Sequence, residues 1–178
     1  AFDSEVVRAQ YQEMIAAYEE AGVNVYQIPA EAGLPYQVYA RDSSVMTPWG
    51  AIIMQMEKPY RRGEYAAVLR FYLEHGIPIY DIVSAGNVEG GDFMVLKPGV
   101  AICGYSGERS IEPAVNQLKH WFEAEGWEFM TYAFDPHFLH LDVQMGMIAE
   151  DLAVVCVEAV EPGLVDWLKS KQIRIMEI

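Results

Sequence analysis

The stretch HGIPIYDI, residues 75–82, decides the fold because related stretches recur along the chain. AGVNVYQI (21–28), EGWEFMTY (125–132) and KQIRIMEI (171–178) can be aligned with it, and three of the four carry glycine at the second position. Glycine there suits the left-handed conformation that ends a helix, and the residues that follow alternate apolar with other side chains as in a strand. Each copy therefore predicts a helix, a glycine stop and a strand.

The segments between these stretches complete a repeat of about 50 residues. Residues 4–21, 63–75, 109–125 and 162–170 place apolar side chains at helical spacing. Two strand-like runs joined by a turn precede three of these helices, at 45–56, 93–105 and 143–157. We therefore expect one α/β domain over residues 1–178, built from three ββαβ units preceded by the helix and last strand of another. Such units can close into a ring around an axis, and a single mixed α/β sheet is the alternative.

The composition argues against several classes of protein. Apolar residues make up 52% of the chain and charged residues 21%, which excludes a disordered protein, and the apolar runs are too short to cross a bilayer. The net charge of −14 opposes binding to nucleic acid and favours a small cationic partner. Cys103 and Cys156 lie in apolar runs without C-x-x-C spacing, which predicts inert buried thiols in a reducing compartment. No secretion signal opens the sequence, so we expect a cytoplasmic protein.

Polar residues mark the start of each repeat. Asp42, Asp92 and Asp142 are 50 residues apart, and a fixed period brings equivalent residues towards a common axis. Glu89 and Asp92 flank two glycines that leave room for both acids, and His140 lies two residues before the third aspartate. A histidine and several acids on one axis can hold a cation and transfer protons. Turn-forming aspartates and a structural histidine are the alternative.

Other polar and aromatic residues have simpler interpretations. His137 and His140 lack the four-residue spacing of helical zinc sites, so we predict neither a metal centre nor a cofactor. Arg61 and Arg62 lie in a connection that leads into the second helix, and we expect their charges to be solvated. The tryptophans recur at turn and helix positions, which favours a role in packing over ligand contact.

The ordered elements Arg41-Asp42, Glu89-Gly-Gly-Asp92 and His140-Leu-Asp142 resemble the guanidine-modifying superfamily. This superfamily includes arginine deiminases, dimethylarginine dimethylaminohydrolases and amidinotransferases, and its fold is a five-bladed α/β-propeller, the pentein fold. The resemblance extends over essentially the whole chain. It implies a guanidine-group hydrolase or amidinotransferase-like protein that acts on arginine or a related guanidine compound.

The resemblance also implies roles for individual residues. Asp42 and Asp142 would bind the substrate guanidinium from two sides, since paired carboxylates suit a planar cation with several N–H donors. His140 would be the general acid/base, oriented by Glu89 as the imidazole of a catalytic triad is held by a carboxylate.

Two more residues take substrate-site roles by the same resemblance. Arg109 follows Gly104-Tyr-Ser-Gly-Glu, which resembles the superfamily pattern Gly-x-Ser-x-Arg-Thr, and would bind the carboxylate of an amino-acid substrate. Asp92 would support the Gly-Gly turn or line the wall of the site.

The superfamily's nucleophile is a cysteine near the C-terminus, which attacks the guanidinium carbon. Neither Cys103 nor Cys156 lies where that cysteine belongs, so the propeller is expected to be incomplete and the isolated chain inactive. The chain could be a piece of a longer protein, form a homo-oligomer that completes the ring, or close around fewer units. A non-catalytic propeller that binds a cationic ligand or a protein partner is the alternative function.

Overall fold

The computed structural model describes residues 3–178, in which one helix is followed by three ββαβ units. The first helix is α1 (Ser4–Glu20), and the first unit comprises β1 (Ser44–Thr47), β2 (Gly50–Ile53), α2 (Glu64–Glu74) and β3 (Ile79–Ile82). The second unit comprises β4 (Phe93–Lys97), β5 (Val100–Tyr105), α3 (Glu112–Ala124) and β6 (Glu128–Ala133). The third comprises β7 (Met145–Ala149), β8 (Leu152–Val155), α4 (Pro162–Ser170) and β9 (Arg174–Glu177). Among these described helices, not one combines the length and the apolar character that a membrane crossing requires.

Each unit forms its own three-stranded sheet. The first two strands pair antiparallel, for example Met94 opposite Ile102, and the third lies parallel to the second, for example Ile102 opposite Met130. The helix connects the two parallel strands, because parallel pairing requires a crossover. The predicted ββαβ repeat is confirmed. The alternative of one mixed sheet is wrong, since residues 3–178 form three separate sheets.

The strand predicted at residues 23–28 is not formed. These residues have no regular secondary structure, and Val23 and Tyr26 are exposed. In each of the three units, the strand after the helix pairs with a strand that precedes the helix. No such strand precedes α1 in the described residues, so the alternating sequence at 23–28 has no ladder to join.

Aromatic side chains join the first unit to the second. Trp49, in the turn between β1 and β2, lies edge-on to Phe122 of α3, with ring centroids 5.3 Å apart. The same indole lies 5.2 Å from the ring of Trp127, just before β6. Each such pair contributes about 0.5–1.5 kcal/mol beyond the apolar area that it buries. The expected packing role is thus confirmed for Trp49 and Trp127.

A short 3-10 turn precedes the first strand of each unit. The turns span Ala40–Ser43, Gly90–Asp92 and Leu141–Val143. The second turn contacts both the first and the third. Since they occupy equivalent positions of the repeat, their polar side chains meet where the first strands of the units converge.

Candidate functional site

The aspartate of one unit binds the backbone of the next. Asp42 Oδ1 accepts the N–H of Gly91 at 3.1 Å, and Asp92 Oδ1 accepts the N–H of Leu141 at 2.9 Å, 49 residues further along in both cases. The third aspartate, Asp142, is more exposed, and its Oδ2 accepts from Nε of Arg41 at 3.0 Å. The regular spacing of the aspartates therefore reflects a hydrogen bond that is repeated between consecutive units.

The two glycines between Glu89 and Asp92 allow close approach of the neighbouring turns. A Cβ atom on Gly90 would lie 2.0 Å from the carbonyl oxygen of Arg41, and one on Gly91 would lie 2.7 Å from Cγ of His140. Neither distance is compatible with a side chain unless the neighbour moves. Glycine at position 90 therefore lets the first turn lie against the backbone of the second turn, and glycine at position 91 lets His140 do the same.

His140 is buried between carboxylates from two other units. Its Nδ1 lies 3.2 Å from Asp92 Oδ2, whereas Nε2 lies 3.5 Å from Glu89 Oε2 and 3.8 Å from Asp42 Oδ1. The resemblance gives the orienting role to Glu89, but the hydrogen bond goes to Asp92, because the other oxygen of Asp92 is fixed by the residue after His140. Glu89 instead faces the opposite ring nitrogen.

The surrounding carboxylates determine the proton affinity of His140. Burial by itself lowers the pKa of His140, but the hydrogen bond to Asp92 and the charges of Asp92, Asp42 and Glu89 together raise it by more. The net effect is a pKa above the ordinary value for histidine. His140 is therefore suited to carry a proton near neutral pH.

The environment of Glu89 raises its pKa above the ordinary value for glutamate. The side chain is fully buried, and burial raises its pKa more than the N–H of Glu57 and the charge of Arg109 lower it. The Glu57 N–H donates to Oε1 at 3.0 Å, and Arg109 Nη1 donates to Oε2 at 3.0 Å. A buried carboxyl with a raised pKa beside the Nε2 atom of His140 is suited to proton exchange.

The expectation that Arg61 is solvated is wrong. Its guanidinium is buried, with Nε and Nη2 donating to the carboxylate of Glu64 and Nη1 donating to Asp42 Oδ2 at 3.0 Å. Nη1 also lies 3.6 Å from Glu89 Oε2. Burial alone would lower the pKa of Arg61, but these carboxylates raise it, so the charge is retained. For Arg62, which is exposed, the expectation holds.

The remaining predicted substrate residues lie at the edges of this cluster. Arg109 is half-buried and its guanidinium contacts Glu89. Asp142 lies beside Arg41, at a groove of about 650 Å³ formed between the first strands of the three units. Burial raises the pKa of Asp142 more than the charges of Arg41 and His140 lower it.

Both cysteines lie apart from the contacts of His140. Cys103 is fully buried in β5, its Sγ donates to the carbonyl oxygen of Gly104, and burial raises the pKa of its thiol. The prediction that the thiol lies in the core is confirmed for Cys103. Cys156, just after β8, is only half-buried, and the two thiols do not form a disulfide.

The central cluster is better matched to a guanidinium than to a metal ion. One ligand atom each from Asp42, Glu89 and His140 lies within 4.8 Å of the others, a spacing that could surround a cation. The guanidinium of Arg61, however, already lies against both carboxylates. These acids therefore accept a planar cation with N–H donors, which is the chemistry that carboxylates bind most specifically.

Sequence reasoning missed three residues of the cluster: Arg61, Glu64 and Ser110. The three-residue spacing of Arg61 and Glu64 could have indicated a pair on one helical turn, though not its burial. Ser110 is fully buried, and its hydroxyl donates to Asp92 Oδ2 at 2.5 Å. A serine in a turn-like sequence gives no signal for such a contact.

Comparison with known proteins identifies relatives of similar sequence. The sequence model of the family described as "N,N dimethylarginine dimethylhydrolase, eukaryotic" matches residues 2–177. The uncharacterised protein YkgA of Bacillus subtilis is 28% identical over 169 residues, which are 95% of this chain and 57% of that protein.

Solved structures match over nearly the whole chain. One is the DDAH of Pseudomonas aeruginosa, a cysteine-to-serine mutant complexed with citrulline, with a TM-score of 0.83, 22% identity, and coverage of 99% of this chain and 66% of that one. Another is the N-terminal domain of ArgZ, an arginine dihydrolase from Cyanobacteria, as a cysteine-to-serine mutant bound to substrate, with a TM-score of 0.83 and 16% identity. That match covers 99% of this chain and 65% of the other. The chain thus has the α/β-propeller fold of the guanidine-modifying superfamily and spans slightly less than two thirds of these relatives.

Proposed function

This chain belongs to the N,N dimethylarginine dimethylhydrolase family, and we propose that it provides the guanidinium-binding and proton-transfer part of a guanidine-group hydrolase. The observation that carries the proposal is the buried cluster of Asp42, Glu89 and His140, whose ligand atoms lie within 4.8 Å of one another. Its two carboxylates already hold one guanidinium, that of Arg61. The substrate class is arginine or an N-substituted arginine.

The proposed roles follow from the direction of each hydrogen bond. Asp92 accepts a hydrogen bond from the Nδ1–H of His140. The Nε2 atom then faces Glu89 and Asp42. Protonated His140 would donate its Nε2 proton to the leaving amine, and Glu89 would stabilise the imidazolium from the same side. Asp42 would also hold the guanidinium nitrogens of the substrate, since each of its oxygens can accept a second hydrogen bond beside those from Arg61 and Gly91.

Asp142 and Arg109 would act at the two edges of the site. Asp142 would accept from the substrate guanidinium once Arg41, which it now binds, has moved away. Arg109 would bind the carboxylate of an amino-acid substrate. Its half-buried guanidinium would then give up its contact with Glu89. Both roles follow the superfamily pattern and require these side chains to change partner.

The reaction would use a cysteine from outside these 178 residues, since Cys103 is fully buried in the core and Cys156 is not among the contacts of His140. The thiolate would attack the guanidinium carbon, and the amine would leave with the proton from His140. Water, losing one proton to His140, would then add to the same carbon, and the C–S bond would break as the added hydroxyl releases its proton to solvent. The products are a ureido compound, an amine and the regenerated thiolate.

Turnover assays on the full-length protein test the proposal. Incubation with arginine, N-methylated arginine and agmatine should release a ureido product and one equivalent of amine or ammonia. His140→Asn should reduce turnover by about 100-fold or more, as expected for removal of a general acid/base. His120→Asn, which removes an exposed histidine of α3, is the matched control and should keep full activity. Absence of turnover with every guanidine compound would refute the proposal.

A binding protein without catalysis is the second candidate. It is favoured by one observation, that neither described cysteine lies among the contacts of His140. Calorimetry separates the two functions. Heat of binding with arginine but no product supports the second candidate, and product formation refutes it.

A further inference from the structure

Ser110 makes a contact with the His140 network that the proposed roles do not use. Its side chain is fully buried at the end of the loop after β5. The Ser110 hydroxyl oxygen lies 2.5 Å from Asp92 Oδ2 and accepts the N–H of Glu89 at 3.1 Å. One hydroxyl thus connects the two acids that flank His140.

The directions of these bonds are fixed by the available protons. A serine hydroxyl has one proton, and the Glu89 N–H can only donate, so the Ser110 proton must point to Asp92. Asp92 Oδ1 accepts from the Leu141 N–H, and Oδ2 accepts from Ser110 and faces Nδ1 of His140. A carboxylate in this position requires the proton of neutral His140 on Nδ1.

We propose that Ser110 is a positioning residue that holds Asp92 as the acceptor for Nδ1–H of His140 and thereby keeps Nε2 free for proton transfer. The inference rests on the proposed function, in which the Nε2 atom of His140 exchanges the proton. Ser110 itself contacts neither ring nitrogen, so its effect passes through the carboxylate of Asp92. Threonine carries the same hydroxyl donor and acceptor, which predicts that threonine can replace Ser110.

Removal of the hydroxyl should change the titration of His140 in a known direction. Without the Ser110 donor, the negative charge of Asp92 is less neutralised and attracts a proton on His140 more strongly. We expect the midpoint for His140 in Ser110→Ala to rise by about half a pH unit or more. The charged groups around His140 that must stay unchanged are Asp92, Glu89, Asp42, Asp142 and Arg61.

The experiment is a nitrogen-15 NMR titration of histidine-labelled full-length protein without substrate. His140 is assigned from a His140→Asn sample, and the ring nitrogen shifts report both its midpoint and its tautomer. Wild-type protein should show the Nδ1–H tautomer, Ser110→Ala the raised midpoint, and Ser110→Thr values close to the wild type. Ser106→Ala is the matched control, because Ser106 lies in the same loop and its hydroxyl oxygen accepts the N–H of Glu108.

The possible outcomes distinguish a positioning role of Ser110 from a purely structural role, and they are independent of whether the proposed function is correct. An unchanged midpoint and tautomer in folded Ser110→Ala would overturn the inference, as would equal shifts in Ser106→Ala. If Ser110→Ala does not fold, Ser110→Cys replaces it: a weak S–H donor should give an intermediate shift, and an unchanged midpoint would overturn the inference. Because the titration uses no substrate, it can succeed where turnover fails, and the two proposals fail separately.

Discussion

Asp92 and His140 come from consecutive units of the repeat, and Oδ2 of Asp92 lies 3.2 Å from Nδ1 of His140. The other oxygen, Oδ1, accepts the backbone N–H of Leu141 at 2.9 Å. One carboxylate therefore joins the second unit to the third and orients the histidine between them. The stability of this contact between units and the proton chemistry of the candidate site are consequently coupled.

Replacement of Asp92 should destabilise the fold much more than replacement of Asp142. Asp92→Ala leaves Leu141 N–H and the Ser110 hydroxyl without their buried acceptor, and we expect a loss of about 3 kcal/mol in the free energy of unfolding. Asp142→Ala is the matched variant at the equivalent repeat position, where the partially exposed pair with Arg41 contributes less than about 1 kcal/mol. Urea-induced unfolding measures both. Equal losses would contradict the proposed role of Asp92 between units.

Gly91→Ala should displace His140. The added Cβ would lie 2.7 Å from the ring Cγ, so the imidazole or the turn must shift. A displacement on the scale of 1 Å reduces turnover by roughly 100-fold when a reacting group is misplaced. The measurement is kcat for the guanidine substrate identified by the turnover assay.

The control for this glycine is Gly163→Ala. A Cβ on Gly163, in the first turn of α4, meets no atom within 4 Å, so activity should be unchanged. Full activity of Gly91→Ala would show that the His140 ring can move without loss of turnover, and that its close approach to the backbone of residue 91 is not required.

The fold could be predicted because its signals are local. The glycine at the end of a helix and the alternation after it are read within eight residues, and the predicted helix at 63–75 corresponds to α2 at Glu64–Glu74. The strand expected at 23–28 shows the limit. Its alternation is genuine, but strand formation depends on a partner, and partner strands are set by the whole chain rather than by local sequence.

Several residues of the candidate site could be predicted from the sequence, but the hydrogen bonds between them could not. The repeat spacing identified Asp42 and Asp92, and His140 was predicted from its place two residues before Asp142; all three are buried together. Which carboxylate reaches which nitrogen depends on how two turns from different units meet, and that geometry is not encoded in spacing. Burial of Arg61 was missed for the same reason, since one of its two hydrogen-bonded carboxylates, that of Asp42, is 19 residues away in sequence.

The stability of the protein should fall with rising pH because of His140. Burial lowers the pKa of His140, but the hydrogen bond to Asp92 and the nearby carboxylates raise it by more, so the folded protein binds this proton more tightly than the unfolded chain. The stabilisation is complete below about pH 6.5, the pKa of histidine in an unfolded chain, and is lost as the pH rises through the folded-state pKa. We expect the free energy of unfolding, measured with urea at values between about pH 6 and pH 9, to decrease less with pH for His140→Gln than for wild type.

The readout of this experiment is a difference between variants. The raised pKa of Glu89, caused mainly by burial, also makes stability fall as the pH rises, but its window begins lower, from the ordinary glutamate value of 4.5. His120→Gln, which removes an exposed histidine of α3, is the matched control. If His140→Gln and wild type lose stability in parallel, the folded protein does not hold the His140 proton as described.

Loss of the Arg61 guanidinium should be among the most destabilising single changes. Arg61→Ala leaves the buried carboxylates of Glu64 and Asp42 without their partner, which typically costs about 3–5 kcal/mol. Arg61→Lys should recover only part of this loss, because an ammonium cannot reproduce the planar fork that binds Glu64. Arg62→Ala, at the exposed neighbouring position, should change the free energy of unfolding by less than about 0.5 kcal/mol. Denaturant unfolding of the three variants tests the cluster directly, and similar values for Arg61→Ala and Arg62→Ala would refute the buried ion cluster.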